Sequence, residues 1–336
     1  MPDPRPPIVL AMVGACLLAA GCSAAPAADA PATATSSRAG SGQGGRPTPG
    51  CPPLPVLSAP PQRIVTMDGG AAAILVELGL GDRIVGTAAT DYFLPFSGEQ
   101  RAKLDSIPVL DPNRGSTEKV LDARPDVVVG TSNLSFGGFD GTPTVEVLEK
   151  AGVKALAACQ TQPSPVRDIG QTTKFVTDAA TALGVPDAGA KLADRIRAEA
   201  GNPATGGDPV PILVLTGVPA PGTPVSTRGG GTLINGVVAQ AGGRNLAEDI
   251  AAAFAGLSAE SIAERDPRAI VVLSGFAKTS DADLLAGVRA SPLLAGTTAV
   301  RENRIAVLPQ SIALTPSVLN GQAVRSVTDL LKRPAA

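Results

Sequence analysis

From Gln62 onward, short apolar runs alternate with stretches of helical spacing, and turn residues separate them. Arg63-Ile64-Val65-Thr66-Met67 reads as a buried strand, Asp68-Gly69-Gly70 as a turn, and Ala71 to Leu78 as a helix stopped by Gly79. Arg83 to Thr87 is a second strand. Ser106 to Leu110 is a third, placed at a sheet edge because Pro108 has no N–H to donate. Thr117 caps a helix through Ala123 that Pro125 ends, and Asp126 to Gly130 is a strand buried on both faces. Thr144 to Ala151 is helical, and Val153 to Ala157 is the next strand. Strands that alternate with helices imply parallel sheet built from right-handed crossovers.

The middle of the chain breaks this rhythm. Val166 to Leu183 is helical, Gly184-Val185-Pro186 interrupts, and Asp187 to Ala200 forms a helix about 21 Å long. Alternation then resumes, with strands at Ile212 to Thr216, Ala269 to Leu273 and Arg304 to Leu308, and periodic segments at Leu233 to Ala241, Ser258 to Glu264 and Ala282 to Ser291. A helix from Ser317 to Lys332 closes the chain. The organisation is therefore two α/β lobes, residues 60–165 and 207–336, with a helical connector at 166–206.

The front end has a different character. Arg5 precedes an apolar run from Ile8 to Gly21, too short for a bilayer span of about twenty residues but suited to a secretory signal over residues 1–21. It ends Leu17-Leu18-Ala19-Ala20-Gly21-Cys22, which resembles the bacterial lipobox, where the chain is cut before the cysteine and that thiol is lipidated. Residues 22–59 begin with Ala, Pro, Thr, Ser and Gly and lack large apolar side chains through residue 50, so they read as a disordered tether. The expected location is the extracytoplasmic face of the cell membrane, held through a lipid on Cys22. Cys16 leaves with the signal. Cys51 and Cys159 then remain, as a disulfide in an exported chain or as two free thiols.

Composition narrows the chemistry. The 336 residues contain no His, no Trp and one Tyr, which excludes a Ser-His-Asp triad, a His-ligated zinc and a His-ligated haem. A net charge of −2 with 2% aromatics argues against nucleic acid as a partner. No G-x-S-x-G elbow or Cys/His pair is present, so a hydrolase would need a Ser-Lys or carboxylate pair, and the expectation is that the protein is not an enzyme. No metal ligand set and no resident cofactor are expected.

An internal echo is the most informative motif. Gly115-Ser-Thr-Glu118 runs through a short helix to Pro125-Asp-Val-Val-Val, and Leu257-Ser-Ala-Glu260 runs likewise to Pro267-Arg-Ala-Ile-Val-Val. In each copy a hydroxyl can cap the helix and the Glu complements its dipole, so local capping alone would explain both glutamates.

These passages, together with Pro61 to Gly86, resemble the helical-backbone, class III substrate-binding proteins of ABC importers for iron-siderophores and cobalamin. The resemblance covers about residues 60–335. It implies two Rossmann-like lobes with mostly parallel sheets joined by a single long helix, a monomer, and a small-molecule cargo held between the lobes. It also implies that Glu118 and Glu260 dock onto arginines of the two permease subunits, and that Cys51 and Cys159 match a pair seen in some members. Ligand-binding candidates follow from the loops beyond the strand ends: Asp68, Tyr92, Phe93, Asn133, Arg228, Phe276 and Gln310. Arg228, in a Gly-rich turn, is the strongest, since its fork suits a carboxylate or phosphate; a solvated loop arginine is the alternative. The absence of His argues against bare-metal cargo, only Tyr92 could serve a haem, and cobalamin binders lean on Trp and Tyr that are nearly missing here. A ferric siderophore is the expected cargo. Another anionic cofactor or precursor, of corrinoid or deazaflavin type, and a scaffold that has lost its ligand and permease are the other readings.

Overall fold

The computed structural model describes residues 49–159, 164–203 and 206–334. The signal, Cys22 and most of the tether lie outside these residues. All the described residues belong to one compact unit.

The first half is built from β1 (Ile64–Thr66), α1 (Gly69–Glu77), β2 (Ile84–Ala88), α2 (Gly98–Asp105), β3 (Val109–Asp111), α3 (Thr117–Asp122), β4 (Val127–Gly130), α4 (Val145–Lys150) and β5 (Lys154–Ala157). The strands form one parallel sheet in the order β3-β2-β1-β4-β5. Two helices follow, α5 (Gly170–Ala182) and α6 (Pro186–Ala200). The second half contains β6 (Val210–Leu215), β7 (Val225–Arg228), α7 (Leu233–Gln240), β8 (Gly243–Asn245), β9 (Phe254–Leu257), α8 (Ala259–Arg265), β10 (Ala269–Ser274), α9 (Asp281–Ala290), α10 (Thr298–Arg301), β11 (Ile305–Pro309), α11 (Gln310–Ala313) and α12 (Asn320–Lys332). Its main sheet is also parallel, in the order β11-β10-β6-β8. β7 and β9 pair separately as an antiparallel ribbon.

Period-two alternation along the strands sorts their side chains into cores. Val127 and Val129 of β4, Ile212 and Val214 of β6, and Val271 and Leu273 of β10 all enter one core cluster that also takes α1, α5, α6, α7 and α12. Their intervening neighbours turn the other way. Val128 joins a core private to the first half, and Leu213, Ile270 and Val272 join one private to the second. The two sheets thus share one continuous apolar interior, within which each fully buried Val or Leu contributes roughly 1.5–3 kcal/mol.

The link between the halves differs from the single long helix expected. Leu183-Gly184-Val185 turns the chain, and α5 and α6 pack back to back as a hairpin. Their axes approach closely because Gly189 faces Ala180 and Val176, where a Cβ would collide with the Ala180 methyl. α5 starts against the second half: the Val166 N–H donates to Gly230 O (2.8 Å) and the Ile169 N–H to Gln240 Oε1 (3.1 Å). α6 is tied to the first half by Arg195 on Glu77 (2.5 Å), and its C-terminal end is tied to the second, where Gln240 Nε2 donates to Gly201 O (3.1 Å). The connector is therefore a two-helix strut.

Cys51 and Cys159 form a disulfide that closes a separation of 108 residues and staples the start of the folded body to the end of the first sheet.

Candidate functional site

Each sheet carries a switch point at its carboxyl edge. In the first, the chain leaves β1 and β4 in opposite directions, and in the second it does so at β6 and β10; such switch points leave a gap beyond the strand ends. The two rims meet at the floor, where a Cβ on Gly70 would stand 3.3 Å from Pro316 O.

Asp68 lies at that floor and is 5% exposed. Its Oδ1 accepts from the Ala71 N–H (2.8 Å) and the Thr131 hydroxyl (2.9 Å), and Oδ2 accepts from the Thr131 N–H (2.8 Å). The carboxylate thereby caps α1 and locks the ends of β1 and β4 together. Burial raises its pKa, and the bonds from Thr131 and Ala71 oppose that rise. Tyr92 stands nearby, its phenol pushed well up by burial and then by the charges of Asp68 and Asp91, so it stays protonated.

Phe93 is a correction to the sequence expectation. It is 2% exposed and packs beneath Gly69, so it belongs to the core. Asn133 reaches the rim, but its Nδ2 donates to Pro49 O (2.7 Å) and pins the arm that carries Cys51. Gln310 acts similarly on the opposite rim: its Nε2 donates to Gly275 O (2.6 Å), within the loop that presents Phe276. Gly275 has φ +93°, a left-handed backbone conformation that side chains disfavour.

Arg228 ends β7 and is 5% exposed, yet its Nε has no hydrogen-bond partner and no ion pair to it exists among the described residues. Its guanidinium carbon sits 4.2 Å from the centre of the Phe254 ring and 4.9 Å from that of Phe276. Those rings are themselves 54% and 43% exposed. Phe254 is the cross-strand partner of Arg228 in the β7–β9 ribbon, which is how the sequence reading missed it. Burial alone pushes the guanidinium down to about 10, so it is still charged at neutral pH. A desolvated cation packed on aromatic rings, with no counter-charge among the described residues, is suited to receive an oxyanion at its free N–H groups.

On the first half, exposed Arg114 lies 4.0 Å from the centre of the Phe139 ring. Its charge acts on Asp91 and Tyr92.

Glu118 and Glu260 are both exposed and occupy the second position of α3 and α8. Ser116 Oγ accepts from the Lys119 N–H (3.4 Å) and Ser258 Oγ from the Ser261 N–H (3.1 Å), the same cap in both halves. Each helix runs against its sheet, so both glutamates stand at the crevice end, before the equivalent central strands β4 and β10. Hydrogen bonds from its own backbone N–H and from Ser258 hold the Glu260 carboxyl below its ordinary range.

Two parallel α/β halves, a helical strut and a crevice at the switch points define a class III substrate-binding protein. The match of the family described as "Periplasmic binding protein" to residues 64–312 gives this class its name, and the chain belongs to that family. It is 25% identical over 284 residues to a protein of Halobacterium salinarum named "Cobalamin-binding protein", covering 82% of this chain and 69% of that one. Among solved structures, an ABC-type Fe3+-hydroxamate transport system from Saccharomonospora viridis matches with a TM-score of 0.65 at 20% identity, covering 82% of this chain and 95% of that one. A periplasmic binding protein from Veillonella parvula matches with a TM-score of 0.69 at 18% identity, over 82% and 92% of the two chains. At these identities the solved structures speak for the fold.

Proposed function

We propose that the protein captures a ferric siderophore outside the cytoplasm, held to the membrane through a lipid on Cys22, and delivers it as a monomer to an ABC permease. Arg228 is the observation that carries the reading. A buried guanidinium with an unmet donor calls for an anionic cargo, and a siderophore brings its own iron ligands, so the protein has only to supply charge, hydrogen bonds and apolar surface. Glu118 and Glu260, equivalent and exposed, would set the docking orientation on a basic permease surface. No step in this reading makes or breaks a covalent bond of the cargo.

A corrinoid is the second reading, supported by the relatives named as cobalamin-binding. One screen separates the two. Ferric hydroxamate, catecholate and carboxylate siderophores are tested beside cobalamin and cobinamide, by thermal shift and calorimetry. A ferric chelate at a hundredfold excess over its Kd stabilises by about 2.7 kcal/mol, which raises Tm by several degrees. A response to corrinoids alone replaces the first reading with the second, and silence across the panel removes both. Fractionation of expressing cells tests the anchor: the wild type sediments with membranes and Cys22→Ala is released.

A further inference from the structure

The second half contains a cavity of about 190 Å³ at the carboxyl ends of β6 and β10. Val218 from the loop after β6, Leu273 and Phe276 from β10 and its loop, and Leu284 from α9 give it apolar walls. The Thr216 hydroxyl on its rim is already committed, donating to Ser226 Oγ (2.8 Å). Val218 and Phe276 are each 43% exposed, so the mouth of the cavity shows apolar surface to solvent. Phe276 is the partition. Its ring packs on Arg228 and also lines the cavity, which places an apolar space beside the unmet guanidinium.

We propose that this cavity is a second compartment of the binding site, taking a short aliphatic arm of the cargo while Arg228 holds an oxyanion next to it. The cargo class is then an amphipathic oxyanion, with an apolar arm branching close to a carboxylate-like group. This deepens the ligand-binding reading above and rests on it. The guanidinium carbon lies against both phenyl rings, the oxyanion takes the N–H groups the rings leave free, and the arm passes round the rim of Phe276. The space is roughly ten times what a single water needs, enough for a short run of carbons. Gln310 is a positioning residue here, since its bond to Gly275 O fixes the loop on which Phe276 stands.

The test uses straight-chain alkyl carboxylates from acetate to octanoate as probes, titrated calorimetrically into the whole protein at low salt. Affinity is expected to rise about fourfold per methylene and to level off within the series once the cavity is filled. Val218→Phe, which fills the mouth, abolishes the rise. Arg228→Met weakens every member by a similar factor and keeps the slope. Melting curves confirm that both variants are folded. An affinity that does not change with chain length, a slope that survives Val218→Phe, or no binding of any carboxylate overturns the proposal. If one of those results accompanies normal binding of a ferric chelate by the wild type, the cavity assignment falls and the siderophore reading stands; if the chelates are silent as well, both fall.

Discussion

The two halves share a topology and differ at their rims. β1, β4 and β5 of the first correspond to β6, β10 and β11 of the second, and a Ser-capped helix with an exposed Glu at its second position precedes the central strand in each. On the first rim, Arg114 is exposed, lies on one ring and has Asp91 within electrostatic reach. On the second, Arg228 is buried against two rings, with no acid paired to it among the described residues. An exposed cation is screened and worth little to a ligand, whereas a desolvated one without a partner is worth a great deal. Similar architecture thus carries unequal chemistry, and the buried, unpaired cation belongs to the second half.

The largest expected effect tests a feature that only the first half has. Replacing Cys51 by Ser opens the 108-residue closure and lowers stability by about 3 kcal/mol in denaturant titrations, with little change in ligand affinity. An equal loss of affinity would mean that the staple shapes the crevice as well. Next come the two arginines. Arg228→Met costs about a hundredfold in affinity for an anionic cargo, and Arg114→Met less than about fivefold. Equal losses would erase the asymmetry. Wild-type binding should stay level from pH 6 to 9 and decline only as pH rises through about 10, where the guanidinium gives up its proton.

The shared features are tested by the glutamates. Glu118→Ala and Glu260→Ala should each reduce uptake in cells about tenfold while Kd, measured on the isolated protein, is unchanged. Normal uptake by both variants would leave the two side chains as helix-cap residues only. The smallest effect distinguishes the two helix ends. Arg124 and Asp266 both have left-handed backbone, with φ +47° and +35°, just before Pro125 and Pro267. Arg124→Gly relieves that conformation and gains about 0.5–1 kcal/mol. Asp266→Gly loses about 1 kcal/mol instead, because that carboxylate accepts from Thr298 N (2.7 Å) and Oγ1 (2.6 Å).

The sequence carried the architecture well, for a physical reason. Strands such as Val127-Val128-Val129 and Ile270-Val271-Val272 are buried on both faces, and their apolar runs stand out wherever they occur. The echo around Glu118 and Glu260 was visible because capping and proline termination are local. Side-chain direction was not. Asp68, Asn133 and Gln310 do lie beyond strand ends, but each spends its polar group on a neighbouring backbone, and nothing in the residue type announces that. Phe254 was hidden for another reason: its pairing with Arg228 depends on two short strands 26 positions apart, and neither has a distinctive alternation. The helix break at Gly184 was legible, but whether the two segments continued in line or folded back depended on Gly189 meeting Ala180, a tertiary contact.

The undivided interior behind the crevice has a mechanical consequence. Hinge motion would have to shear a packed apolar mass that both sheets and the strut share, so the spacing of Glu118 and Glu260 is expected to change little with occupancy. A transporter that gauged only that spacing would read the same length on an empty carrier as on a full one. Such a transporter would instead have to detect the passenger directly, through whatever part of it stands proud of the cleft.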